Sequence, residues 1–520
     1  MNPSALLRTI VVFAICLPVA IFLGYIVAGP FDYTFVGVVG TVVLILIAPL
    51  LLRYHYALLV LGWNCTMIVF FLPSAPGVWM PLVAVSLTLS VIRRTIDSRY
   101  RFISVPSMTW PLLALAVVVL VTAEMTGGVG LRSFGGAVYG GKRYIFLLGA
   151  ILGYFALTAQ RIPREQAGLY IALFLLGGIT TVISDTLYFQ SRALQFIYWF
   201  FPPTMSLLGG GSDTLTGGVT RFAGLSGASQ VLVYFMLAKL GIRGIFTPHR
   251  PWRFALFAML AGMSLFGGFR SLLIMFIMVF SIQFYLEGVH RTRLLPVLLG
   301  GLLLVGIVSL PFLQQFPLSV QRSLAFLPIP VDALVRADVE GSSGWRITIW
   351  KAVLPQVPQY LLLGKGLAMT HEDLDFSIEQ QRHSIGTTSA DQEDMALSGD
   401  YHNGPLSVII PFGIWGAAVF LWLMGAAVRV LYRNWRYGDP ELRIVNSCLL
   451  ALFVAKVLLF LFIFGGFYSD LQGFAGYVGL SISLNGGMAK PAPEPVPESA
   501  QAAGLPDLLP RPRTAMGRSA

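Results

Sequence analysis

The chain has 520 residues, 56% of them hydrophobic and 11% charged, with a formal net charge of +11 and a mean hydropathy of +0.76. Soluble domains carry about 25% charged residues, so this composition cannot clothe a water-facing surface, and a soluble enzyme is excluded. The basic residues sit in short clusters between apolar runs, as membrane topology requires; no aromatic-and-basic face points to nucleic acid.

In lipid only helices and closed barrels satisfy the backbone. The apolar runs are continuous rather than alternating, which selects helices. The expected fold is an all-α polytopic membrane bundle of about 12–14 transmembrane helices with one large extracytoplasmic loop. Spans are predicted near 9–29, 34–52, 56–72, 78–92, 107–124, 143–160, 166–184, 222–241, 254–267, 271–287, 294–312, 404–430, 444–465 and 471–486. The first run, Thr9 to Gly29 behind Arg8, exceeds the roughly 7–15 residues of a signal-peptide core, and Gly29-Pro30 is no small-x-small cleavage site, so it reads as a retained span.

The basic clusters orient this map. Arg93, Arg94, Arg99 and Arg101 follow the fourth span, Arg161 and Arg164 the sixth, and Arg243, Arg250 and Arg253 the eighth. Arg291 and Arg293 follow the tenth, and Arg433, Arg436 and Arg443 the twelfth. All fall on one side if the N-terminus is cytoplasmic. Both termini are then inside and the long loops outside. The expected organisation is an N-terminal transmembrane region (1–220), a core transmembrane region (221–312), a large periplasmic loop (313–403), a C-terminal transmembrane region (404–488) and a proline- and alanine-rich, disordered cytoplasmic tail (489–520).

The outside loop from Asp185 to Thr220 carries Tyr198-Trp199-Phe200-Phe201, read as an interfacial belt or re-entrant segment, and Gly209-Gly210-Gly211, read as a turn because no phosphate-loop context surrounds it. The loop from Leu313 to Asn403 is long, polar and acidic. Apolar residues at helical spacing predict an ordered stretch over Trp345 to Leu354, and His371 to Ser398 reads as a flap. Cys16, Cys65 and Cys448 lie in apolar runs and read as packing residues. His55, His249 and His290 fall on the cytoplasmic side as interfacial residues.

Candidate chemistry lies on the outside face. Arg221 opens the eighth span, Arg346 sits in the loop within Gly344-Trp345-Arg346, and His402 precedes the twelfth span within Asp400-Tyr401-His402-Asn403. Taken singly, they read as a snorkelling arginine, a solvated arginine and a surface histidine. An outside arginine beside a span runs against the positive-inside tendency. Together, two arginines can grip a pyrophosphate through bidentate charge-assisted hydrogen bonds, and a histidine can take a proton from an attacking hydroxyl. Arg270, at the turn Gly267-Gly268-Phe269-Arg270-Ser271, could touch phosphate or anchor the hairpin. A rival reading gathers His371, Glu372, Asp373, His383, Asp400 and His402 around a cation, but no ligand spacing such as HExxH supports it.

At these residues the chain resembles the O-antigen ligase/O-antigen polymerase superfamily of bacterial envelope glycan enzymes. The resemblance runs through the Arg221 segment, the hairpin with Gly268-Phe269-Arg270-Ser271, Trp345-Arg346 with Trp350 and Leu363-Gly364-Lys365-Gly366-Leu367, and His402-Asn403 leading into Gly413-Ile414-Trp415-Gly416. It covers roughly 221–430. Phe269 stands where the family has serine, no proline lies close before Gly364, and Ala228-Ser229-Gln230 replaces an Asn-Pro-like pair. The resemblance implies a metal-independent, inverting glycosyltransferase without a cofactor, at the periplasmic face of the bacterial inner membrane. Its partners would be an undecaprenyl-diphosphate-linked glycan as donor, an acceptor sugar on lipid A core (ligase) or a lipid-linked repeat (polymerase), and membrane lipids, with no nucleic acid. His402 would be the base; Arg221, Arg346 and Arg270 would bind the diphosphate. Two other readings remain at this point. A flippase of lipid-linked glycans would place charges within spans, where Glu124, Asp185 and above all Lys456 are candidates; Lys456 reads alternatively as a lysine paired inside the bundle. A scaffold without catalysis would leave the shared placement of Arg221, Arg346 and His402 as coincidence.

Overall fold

A computed structural model of the chain describes residues 33–72, 74–127, 141–188, 192–202, 219, 221–368 and 401–491, together with 16, 17, 20 and 24. Most of the expected span 9–29, the glycines 209–211, the flap 371–398 and the tail beyond 491 lie outside the described residues, as do His371, Glu372, Asp373, His383 and Asp400.

The described residues are helical, with one isolated bridge between Ile68 and Gly77 and no named strand. The chain is an all-α multi-pass membrane protein. Eight helical segments among the described residues are long and apolar enough to cross a bilayer, and two shorter apolar helices, Pro251–Gly267 and Arg270–Leu286, pack among them. We number the principal helices α1 (Tyr33–Gly62), α2 (Trp79–Ile96), α3 (Pro106–Thr126), α4 (Gly141–Leu157), α5 (Arg164–Asp185), α6 (Ala223–Ile245), α7 (Pro251–Ser264), α8 (Arg270–Leu286), α9 (Leu294–Ser309), α10 (Leu318–Leu324), α11 (Ala333–Val353), α12 (Gly404–Tyr437), α13 (Arg443–Phe462) and α14 (Phe467–Asn485).

Most of these bounds follow the apolar runs, and the expected end of the eighth span at Gly241 is where α6 breaks (φ +65°). The expectation of two spans at 34–52 and 56–72 is corrected. A single helix, α1, runs through Arg53-Tyr54-His55 with a distortion at Tyr54 and ends at Gly62. Beyond it the chain loops back, because its polar groups find partners off the helix. Asn64 Nδ2 donates to the Phe174 carbonyl (2.7 Å), Thr66 N to Thr180 Oγ1 (3.0 Å) and Ile68 N to the Phe200 carbonyl (2.7 Å). The aromatics of 198–201 accordingly cover this loop, Phe70 packing on Trp199 and Phe200 with ring centroids 5.7 and 5.1 Å away.

The core lies where α12, α13 and α14 pack against α3, α4, α6 and α8. Trp63 is fully buried there, and it fits only because Gly153 and Gly476 carry no side chain. By contrast α9 has no buried residue, and apart from Leu294, Leu295 and Leu298, which touch the core at its start, its apolar surface faces outward, as a lipid-facing helix does.

One break in this bundle builds the site. Helix α12 is interrupted at Gly413 (φ +62°), two residues after Pro411. The freed groups are taken up by the segment 361–367: Ile414 N donates to the Leu361 carbonyl (2.7 Å), Lys365 N to Ile410 O (2.7 Å) and Gly366 N to Pro411 O (3.0 Å). Gly364 and Gly366 hold φ of +73° and +76°, a region glycine enters without strain. A Cβ on Gly364 would strike the Pro411 carbonyl, and one on Gly366 the Thr126 hydroxyl. Leu367 N then donates to Tyr144 OH (2.7 Å). The Gly-Lys-Gly segment is therefore a backbone seal over a broken helix. Gly366→Ala should lower the melting temperature of the purified protein by several degrees, while Gly425→Ala, at an open helical position, should leave it level or raise it; equal melting of the two variants would contradict this account.

Candidate functional site

The Arg221 segment is fixed from beneath. Asp185, buried at the end of α5, accepts from Gly224 N at the start of α6, and Thr181 Oγ1 donates to the Gly224 carbonyl (3.1 Å). This caps helix α6, whose first amides lack intrahelical partners. Phe222 N donates to Phe266 O (3.2 Å), tying the Arg221 segment to the α7–α8 turn. That turn passes through Gly268 in the left-handed region (φ +67°), and Arg270 is the first residue of α8.

Helix α10 holds the turn from above, although it is short and polar. Ser319, Gln321, Arg322 and Ser323 are all buried. Ser323 Oγ donates to Leu265 O (2.7 Å), Arg322 Nη1 to Gly268 O, and Gln321 Nε2 to Phe316 O (2.9 Å), while Gln321 Oε1 accepts from Asp332 N (2.8 Å). Asp332 in turn caps α11 by accepting from Leu334 N (2.8 Å). The ordered stretch expected over 345–354 is thus the end of a helix that begins at Ala333.

Helix α11 brings the arginines together. Asp338 accepts from Arg221 Nη2 (3.1 Å) and from Arg322 Nε, bridging the two guanidiniums. Arg270 Nη2 donates to Ser343 Oγ (3.1 Å). Arg346 lies one to two turns further along α11, its guanidinium 5.5 Å from the centre of the Phe464 ring. Its Nε is buried with no hydrogen-bond partner among the described residues. Burial pushes the Arg346 pKa below the ordinary arginine value, and the charges of Arg270, Arg322 and Arg221 push it further. Arg221 is lowered first by burial and then by Arg322, with Asp338 opposing. Guanidiniums stay charged at neutral pH even so, so the site is a standing concentration of positive charge.

His402 joins the group through α12. Trp350 Nε1 on α11 donates to the Tyr401 carbonyl (2.9 Å), and Ile349, Val353, Tyr401, Leu406 and Ile410 form a small apolar cluster between the helices. Asn403 caps α12 by accepting from Leu406 N (3.1 Å). His402 itself has φ +50°, a conformation that non-glycine residues seldom adopt and that costs about 1–3 kcal/mol unless the surroundings enforce it. Its ring meets Phe464 at 4.9 Å between centroids, tilted by 63°. Phe464 therefore touches both His402 and Arg346.

The structure thus gathers the four residues singled out from sequence, Arg221, Arg270, Arg346 and His402, around α11. It adds three that sequence reasoning missed: Arg322, Asp338 and Phe464. Arg322 carried a signal like that of Arg221, an arginine on the expected outside face near the end of a span. No group of three or more metal-ligating side chains occurs among the described residues. Lys456, the charge within a span, donates to Asp470 Oδ1 (2.6 Å).

Comparison with known proteins gives one family. Residues 253–421 match the family model Wzy_C, described as O-Antigen ligase. The matched stretch contains Arg270, Arg322, Asp338, Arg346 and His402; Arg221 and Phe464 flank it. No curated protein matches the chain.

Removing Asp338 tests the frame. Breaking a fully buried ion pair costs about 3–5 kcal/mol. Arg322 is 4% exposed but Asp338 is 23% exposed, so Asp338→Ala should destabilise by less, on the order of 2 kcal/mol. Thermal unfolding in detergent measures it; an unchanged midpoint would mean that Arg322 does not depend on this carboxylate.

Proposed function

We propose, from the premise that residues 253–421 form an O-antigen ligase family segment, that this chain transfers or polymerises glycan from an undecaprenyl-diphosphate donor at the outer leaflet of the bacterial inner membrane. The observation that carries the reading is the convergence of Arg221, Arg270, Arg322 and Arg346, two of them bridged by the carboxylate of Asp338, beside a histidine in a forced backbone conformation. A diphosphate suits this charge, and guanidiniums offer it paired donors.

In this reading the polyprenyl tail lies among the helices and the diphosphate exchanges with Asp338 on Arg221. His402 takes the proton of the acceptor hydroxyl. The acceptor oxygen bonds to the anomeric carbon as the bond from that carbon to the diphosphate breaks, and attack from the opposite face inverts the centre. Arg221, Arg270 and Arg346 bind the diphosphate and stabilise its growing charge; Arg322, already bonded to Gly268 O and Asp338, holds the frame. The guanidiniums supply the positive charge that a cation would otherwise provide, so the reading assigns no metal. The acceptor is a lipid A core sugar for a ligase or a lipid-linked repeat for a polymerase. The flippase alternative drew on Lys456, whose pairing with Asp470 gives that residue a structural use.

His402→Ala should reduce transfer by roughly 10²–10⁴-fold while the protein still inserts; normal surface glycan at matched protein levels would sink the role given to His402. Arg346→Lys should also fail, since an ammonium cannot offer paired donors; full activity would reduce Arg346 to a point charge. Transfer by purified protein should survive chelation with EDTA, and its loss, restored by a divalent cation, would overturn the metal-free reading. In a deletion strain, loss of chain-length ladders with single repeats retained identifies a polymerase, and free lipid-linked polymer identifies a ligase.

A further inference from the structure

We propose that Phe464 is a positioning residue for the transfer reaction, an aromatic platform that sets His402 and Arg346 against one another, held in place by the ion pair Lys456–Asp470. The proposal rests on the functional reading above and extends it to a residue outside the matched family segment.

Phe464 lies in the short turn between α13 and α14. Its ring meets the Arg346 guanidinium at 5.5 Å and the His402 imidazole at 4.9 Å. These two side chains come from different elements, α11 and the start of α12, and the ring is a contact they share.

The turn is rigidly made. Ile463 N and Phe464 N both donate to Leu459 O (2.9 and 2.8 Å), and Asp470 N donates to Gly466 O (2.9 Å). The Asp470 carboxylate is divided: Oδ1 accepts from Lys456 Nζ (2.6 Å) and Oδ2 from Gly466 N (3.0 Å). Lys456 thus fixes the carboxylate that caps the turn. Phe467 N donates to Ser407 Oγ (3.0 Å), and Ser407 N to the carbonyl of Asn403, the residue after His402 (2.9 Å). Gly404 and Gly465 pack on Phe460 so closely that neither has room for a Cβ. The turn bearing Phe464 and the turn bearing His402 are therefore registered to one another through Ser407, whose hydroxyl accepts from one and whose amide donates to the other.

An aromatic ring suits this position chemically. A carboxylate beside Arg346 would neutralise it and occupy its N–H donors. A π face attracts the guanidinium through its quadrupole and consumes no donor, so the charge and the N–H groups remain available for phosphate oxygens. The edge-to-face contact likewise fixes the imidazole plane.

The test replaces Phe464 in the full-length protein with mono-, di-, tri- and pentafluorinated phenylalanine. Fluorination weakens the π face and leaves the shape almost unchanged, so folding is preserved. Undecaprenyl diphosphate serves as the binding probe, with glycan transfer in a deletion strain as the second readout. Affinity should fall stepwise with fluorine content, by about two- to fivefold at the pentafluoro ring, and Phe464→Tyr should retain both binding and transfer. A residue that merely filled space would give a flat series, and a flat series overturns the proposal. So would a Phe464→Tyr variant as damaged as Phe464→Leu. Arg346→Ala and His402→Ala in parallel separate the two levels. If they lose binding and transfer respectively while the fluorine series is flat, Phe464 alone is wrongly assigned. If they behave as wild type, the functional reading fails first.

Discussion

Like charges held together in a place poor in water are the constraint around which this protein is arranged. Burial lowers the pKa of Arg221 and Arg346, and neighbouring arginines lower it further, because burial of charge is unfavourable in itself. Most of what holds them is nonetheless not acidic. A backbone carbonyl takes Arg322, a hydroxyl takes Arg270, and aromatic rings face Arg221 and Arg346. Asp338 supplies one negative charge to two of the four. An arrangement of this kind keeps side chains ordered without cancelling their field, which is the condition for electrostatic stabilisation of a charged leaving group.

Holding arginines with carbonyls requires backbone in unusual conformations, and those are where the helices break. The α7–α8 turn offers the Gly268 carbonyl because Gly268 is left-handed. Helix α12 breaks at Gly413, and the segment with left-handed Gly364 and Gly366 closes over the opening. In a bilayer an unsatisfied peptide group is expensive, and irregular backbone persists where protein or water satisfies it. The glycines thus belong to the site indirectly: each permits a chain path that places a carbonyl, a helix start or a sealing strand of backbone where no side chain could fit.

The bundle was legible because the bilayer demands long apolar runs, and because glycine and arginine end them. The error at 56–72 has the same origin. That run is apolar enough to span, yet Asn64 and Thr66 have partners on α5 that draw the chain into a loop, information that hydropathy alone does not contain. Arg221 was visible because an arginine beside a span on the expected outside face runs against the positive-inside tendency, and Arg346 and His402 stood out only in combination with it. Asp338 was hidden among the many acids of its loop. Phe464 was hidden more deeply, as one of 37 phenylalanines in a chain whose solvent is apolar; only its two neighbours distinguish it. Arg322 was readable by the argument applied to Arg221, since it too lies on the expected outside face near a span.

Exposure sorts the arginines into two kinds. Arg322 is 4% exposed and spends its Nε and Nη1 on protein acceptors, whereas Arg221 is 26% exposed and meets Asp338 through Nη2. Arg221 is therefore the more accessible of the two to anything that enters the site from outside. The shared carboxylate couples the two: whatever releases Asp338 from Arg221 leaves it attached to Arg322, and α11, which also carries Ser343 and Arg346, stays anchored to the turn beneath it. The buried Arg322 keeps the helix in register while the more open Arg221 can exchange its partner, so binding and framework need not compete for the same hydrogen bonds.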